Sequence, residues 1–259
     1  PGDERLRDAS EQHERALAEK IGAEAQPCGI RRVRIAPGFG RVAEHLLELA
    51  SAERAELVVI GTHRRQGWDR LVHGSVSLDI VASARCNVLV VPLVPKAAHA
   101  PSESLRRVLV PIDFSPLSLR ALHWAAHLLP AGGRLQLVHV AAPYVSAVVE
   151  LGAYAPLPPL SPEEIAREQG DVERRLRELI PSEFAARGLE FDVEAATGFD
   201  APTAIVECAT RLGSDLICMP THGRSGLSRA LMGSVAQGVL KRSPIPVLVV
   251  PPPERRPRP

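Results

Sequence analysis

The chain has 259 residues, 45% apolar and 24% charged, enough to bury a sizeable core and too apolar for wholesale disorder. Its 31 basic and 30 acidic residues leave a formal charge of +1, without the cationic excess of a general nucleic-acid binder, and aromatics at 3% offer few stacking platforms. No apolar run approaches the ~18 residues of a membrane span, and the charged opening PGDERLRDASEQ lacks the core of an export signal, so neither membrane nor export is indicated and a cytoplasmic location is expected.

In chain order, the first apolar strands are LVVI at 57–60 and VLVV at 88–91. Residues 93–104 are Pro- and Ala-rich and form a candidate linker. A strand is expected at 107–111, a helix at 115–129 and a strand at 135–140; the proline-bearing stretch 141–162 then leads into a charged helix at about 162–187. After it come a strand at 191–195, a helix at 201–212, a strand at 215–219, a helix at 235–242 and a strand at 247–250. The tail 252–259 reads as a solvated end. Strands apolar throughout belong in a parallel sheet covered on both faces, and the fold class is α/β. Cys28, Cys86, Cys208 and Cys218 are far apart with no CxxC, which suits small buried hydrophobes rather than a metal site or a disulfide framework.

The chain repeats itself. Residues 61–92 lie without gaps over 220–251 at an offset of 159, with 13 of 32 positions identical, and Pro37-Gly38-Phe39-Gly40 answers Thr197-Gly198-Phe199-Asp200 at an offset of 160. The expected organisation is therefore a first domain at 1–92 and a second at 105–251. The second has elements before its repeat that the first lacks; Arg107 carried back by the offset falls before Pro1, so about 50 residues of a complete first domain are expected to precede this sequence.

One loop could hold phosphate. Pro220-Thr221-His222-Gly223 follows a buried strand, and after nine intervening residues Gly233-Ser234 opens a helix, the position at which open α/β sheets bind ligands. Glycines admit close approach, while free amides and the positive helix end at Ser234 and Val235 favour an anion. A tight turn followed by a helix cap would leave the same pattern.

These residues carry a resemblance. THGRSGLSRALMGSVAQGVLKRSPIPVLVV, with VLVPIDFS at 108–115, resembles the universal stress protein family and its tandem members. The resemblance implies two repeated Rossmann-like domains, each an open five-stranded parallel sheet with helices on both faces, the first lacking its N-terminal strands here. One branch of the family binds ATP through Gly, two residues, Gly, nine residues, Gly, then Ser or Thr. In the second copy that pattern falls on Pro220, Gly223, Gly233 and Ser234, and in the first on Gly61, Arg64, Gly74 and Ser75, so neither is complete. The implied nucleotide contacts are Pro111, Asp113, Val140, Met219, Pro220, His222, Gly223, Arg224, Gly233, Ser234 and Val235, with a weaker half-site at Gly61, His63, Arg64, Gly74 and Ser75. The implied cofactor is ATP, with or without Mg2+.

Two departures matter. Pro220 deletes an amide, a loss of roughly 1 to 3 kcal/mol or about 10- to 150-fold if that amide meets phosphate. If the position needs positive φ, the loop must rearrange. Arg64 costs roughly 1 to 2 kcal/mol if its backbone is left-handed, though its guanidinium could meet phosphate. Asp113 is expected at adenine or ribose by the resemblance, while its place before Phe-Ser-Pro also suits a helix cap. Arg65, Arg70, Arg224 and Arg229 are further phosphate candidates or merely solvated. His123 and His127 are four apart on a helix, but no glutamate follows the first, so this is not HExxH and no third ligand is evident.

Both copies end in VLVVP, a hydrophobic edge that must be paired or covered. The resemblance implies antiparallel pairing there, within the chain or in a homodimer. The leading reading is a nucleotide-responsive stress regulator binding ATP in the second copy. The alternative is a nucleotide-independent interaction module, and catalysis would amount at most to slow ATP hydrolysis, since the sequence names no base for water.

Overall fold

The computed structural model describes residues 41–62, 76–92, 104–141, 161–223 and 232–253, with a few isolated positions between 16 and 33. The chain divides into two compact units, Pro1–His45 and Leu46–Pro259. In the first, Arg41 Nη1 donates to Glu44 Oε2 at 2.9 Å as a helix begins.

The second unit is built on seven strands: β1 (Leu57–Thr62), β2 (Asn87–Pro92), β3 (Arg107–Pro111), β4 (Arg134–Ala141), β5 (Glu190–Thr197), β6 (Leu216–Pro220) and β7 (Val247–Val250). The described helices are α1 (Val42–Ala52), α2 (Val76–Ser83), α3 (Pro116–Leu128), α4 (Pro162–Glu178), α5 (Ser182–Ala186), α6 (Ala201–Arg211) and α7 (Ser234–Arg242). The strands form one sheet in the order β1-β2-β7-β6-β3-β4-β5, parallel except where β2 meets β7. The α/β class holds, and the strands of the two copies run on as one sheet through β2 and β7.

The β2–β7 seam explains the continuity. Val88 lies opposite Val249, Leu89 opposite Leu248 and Val90 opposite Val247. At the repeat offset Val88 corresponds to Val247, Leu89 to Leu248 and Val90 to Val249, so each pair is its own or its neighbour's mirror. The two VLVV segments meet isologously about a local two-fold between Leu89 and Leu248, which satisfies two hydrophobic edges at once.

Side-chain alternation assigns the faces. Val108, Val110, Leu135, Leu137, Leu216, Cys218, Leu248 and Val250 share a core with Leu122, Ala125 and Ala126 of α3, Leu176 of α4 and Phe184 of α5. The intervening residues point the other way, where α6 lies against β4 and β5 and packs on α7. The expected helix at 162–187 is broken: Pro181, having no amide to donate, ends the run and stands as N-cap of α5. Ser161 and Glu164 form a capping box that starts α4. The buried polar pair Ser214 and Gln136 is satisfied, Ser214 Oγ donating to Gln136 Oε1 at 2.6 Å and Gln136 Nε2 to Leu212 O at 3.1 Å. Burial pushes the Cys218 thiol far up, while Cys86 is only half-buried and Cys28 lies outside the described residues.

Among the described residues the sheet is not covered on both faces throughout. Val58 and Ile60 of β1 are buried, as are Ile80 and Val81 of α2, yet Leu57 and Val59 are exposed. No helix of the described residues is long and apolar enough to cross a membrane.

Candidate functional site

A cleft of about 410 Å³ opens at the carboxyl ends of β3, β4 and β6, where strand order reverses at β3. Pro111, Asp113, Val140, Met219, Pro220, His222, Gly223, Gly233, Ser234 and Val235 all line it. Arg224 lies outside the described residues, as do His63, Arg64, Gly74 and Ser75 of the half-site and the candidate arginines at 65, 70 and 229. Gly61 is an exposed residue of β1.

The floor is built by the turn from β3 into α3. Ser115, not Asp113, caps α3, its Oγ accepting from Ser118 N at 3.2 Å. Asp113 Oδ1 instead accepts from Ser115 N at 3.0 Å, holding the carboxylate at the cleft wall. Between them Phe114 takes a left-handed backbone, φ 63, a conformation that costs a non-glycine residue roughly 1 to 2 kcal/mol. Its ring is held on two sides, 4.9 Å from the His139 imidazole and 4.1 Å beneath the Arg175 guanidinium.

His139, Thr221 and Ile112 also line the cleft and were not singled out from sequence. His139 Nδ1 lies 2.7 Å from Ile112 O; a carbonyl only accepts, so Nδ1 carries the hydrogen and Nε2 is left as the other ring atom. Ile112 N donates to Val138 O at 2.8 Å, so both backbone polar groups of Ile112 are fastened to β4. The sequence signal was position: His139 precedes Val140 at the end of a strand whose carboxyl end had to face the ligand.

The opposite lip is the loop after β6. Thr221 N donates to Val250 O at 3.2 Å, Gly233 N to Thr221 O at 2.9 Å, and Thr221 Oγ1 lies 2.8 Å from His222 Nδ1. Gly233 is the N-cap of α7 without a side-chain cap, so the first-turn amides of Ser234, Val235 and Ala236 have no helical acceptor and border the cleft. The glycines serve close approach rather than unusual dihedrals: Gly233 has φ −60. A Cβ on Gly223 would stand 2.7 Å from Asp113 Oδ2, and one on Gly233 3.2 Å from Thr221 O. Pro220 closes β6 as an ordinary strand residue and is not among the positive-φ positions, so its ring imposes no rearrangement.

The rear wall includes Ala201 and Ile205 of α6, started by the Asp200 N-cap. The Thr203 hydroxyl above all, with lesser help from the Thr203 amide and Arg242, holds the Asp200 carboxyl below its ordinary 3.8. A depressed carboxyl contributes stability above its unfolded pKa and loses it as pH falls through the folded one. Asp200→Asn keeps a capping oxygen but not the charge. In thermal unfolding the wild type should therefore lead this variant at neutral pH, with the lead vanishing on acidification below 3.8. His123 and His127 lie on exposed positions of α3, where His127 Nδ1 bonds the His123 carbonyl at 2.7 Å. Among the described residues no cluster of three or more His, Cys, Asp or Glu is arranged for a metal.

An open, mostly parallel sheet with a glycine-bordered cleft at its switch point defines an α/β protein of the Rossmann-like class. The sequence profile of the universal stress protein family matches residues 1–92 and 104–251. The chain belongs to the universal stress protein family. Universal stress protein MJ0531 of Methanocaldococcus jannaschii is 31% identical over 154 residues, 58% of this chain and 84% of that protein. Universal stress protein Rv2005c of Mycobacterium tuberculosis is 32% identical over 203 residues, 76% of this chain, and the match spans 62% of that relative's length. The crystal structure of a universal stress protein from Archaeoglobus fulgidus superposes with a TM-score of 0.66 over 97% of this chain and 80% of its own, at 22% identity, a likeness of fold.

Proposed function

We propose that the chain binds an adenine nucleotide, ATP, in the cleft of residues 105–251 and works as a nucleotide-responsive regulator of the stress-protein type in the cytoplasm. The observation that carries this reading is the first turn of α7, whose amides at Ser234, Val235 and Ala236 have no acceptor within the helix and border a cleft where Gly223 and Gly233 let the walls approach closely. Such amides at a positive helix end suit phosphate, and the Ser234 hydroxyl adds a donor. Asp113, at the cleft wall, would accept from ribose hydroxyls, while Ile112, Val138, Ile205 and Met219 would form an apolar bed for a base. The bound nucleotide would supply a charged, exchangeable group whose presence the protein reports; the residues named bind and orient it. The β2–β7 seam lies within one chain, which favours intrachain pairing over a homodimer through those strands.

Calorimetric titration of the full chain with ATP tests the reading. A saturable heat at one site is expected, and Gly233→Arg, which fills the space against Thr221 O, should abolish it. No heat with the wild type would favour the nucleotide-independent module.

A further inference from the structure

Phe199 is 82% exposed, more than any other large apolar side chain among the described residues. The other described phenylalanines are used in packing, Phe184 inside the core and Phe114 and Phe191 against it. Phe199 stands in the turn between β5 and α6, and the repeat places Gly38-Phe39 where the second copy has Gly198-Phe199.

The turn is pinned on both sides of this residue. Gly198 N donates to Ala141 O at 3.1 Å, which ties the turn to the end of β4. The approach is close, since a Cβ on Gly198 would stand 3.1 Å from Ala204 Cβ and 3.8 Å from Val140 Cγ1. On the other side Asp200 Oδ2 accepts from Thr203 N at 3.2 Å and fixes the start of α6, whose Ala201 lines the cleft together with Val140. The backbone of Phe199 is thus held at the rim of the cleft while its ring is left to solvent.

Strand order gives a bound nucleotide its direction. The carboxyl ends follow one another as β6, β3, β4 and β5. Phosphates at the first turn of α7, which follows β6, and ribose at Asp113, which follows β3, carry the base toward β4 and β5, where Val140 and Ile205 line the cleft. We propose, resting on the nucleotide reading above, that Phe199 is a base contact, its ring closing over the outer face of the adenine once the inner face lies on the apolar bed. Turning about its two side-chain torsions moves the ring without moving the pinned backbone, and stacking then covers one exposed face of each ring. Stacking tolerates any base, so the contact selects nucleotides from inorganic polyphosphate rather than adenine from guanine.

Calorimetric titration of the full-length Phe199→Ala chain tests the contact. Its affinity for ATP should fall about tenfold below wild type, and ADP should lose the same factor because the missing contact is at the base. Since the side chain is exposed, this variant should melt as the wild type does. Phe199→Trp keeps the stacking and adds a reporter, so its emission should change saturably with ATP, beyond any change in the wild type. No heat with the wild type overturns the nucleotide site and the contact with it. If the wild type binds but Phe199→Ala binds as tightly, or if the emission of Phe199→Trp merely follows the wild type, the nucleotide site stands and the contact is overturned.

Discussion

Gly223→Val should weaken ATP binding about a hundredfold or more while leaving the fold intact. The first added carbon would stand 2.7 Å from Asp113 Oδ2, inside van der Waals contact, and the branches of valine crowd the same space. Asp113 cannot withdraw freely, because its Oδ1 accepts from Ser115 N and Phe114 beside it is clamped between His139 and Arg175. The loop at 221–223 must therefore lift, and its anchors to Val250 O and Gly233 N set how far the slot distorts. Calorimetry gives the affinity, and circular dichroism should return an unchanged melt, since Gly223 is not part of the buried core.

Val88→Asp should destabilise the first-copy strands by about 4 kcal/mol or more, among the largest effects a single substitution gives. Val88 is 1% exposed and faces Val249, also 1% exposed, with no donor built for a carboxylate. Loss of the seam should be local: in hydrogen exchange, amides of β1 and β2 should lose protection while those of β3, β4 and β5 keep it. Uniform loss across the sheet would mean that the seam supports the whole unit.

Much of this was legible in the sequence because it rests on local patterns. Apolar runs at 108–110 and 247–250 mark strands buried on both faces, and the repeat offset alone makes the β2–β7 pairing self-complementary. Pro181 was visible too, but the amphipathic pattern running through it suggested one helix where the missing amide makes two. Asp113 read as a helix cap from its local pattern and as a ligand contact only through the resemblance, since Ser115 two residues on has the same capping chemistry and only backbone geometry separates them. His139 was hidden because a histidine on an apolar strand carries no motif; its bond to Ile112 O links residues 27 apart in sequence. The bare face of β1 was unreadable, since LVVI has the same pattern whether or not a helix covers it.

The central claim is that the first-turn amides of α7 receive the phosphates of a nucleotide. Amide shifts of the isotopically labelled full chain, followed through an ATP titration, test it most directly. The account predicts saturable shifts at Ser234, Val235 and Ala236, with Gly223 following and the amides of β1 unmoved. Unchanged resonances at those three residues in excess ATP, or shifts confined to some other part of the chain, would contradict it.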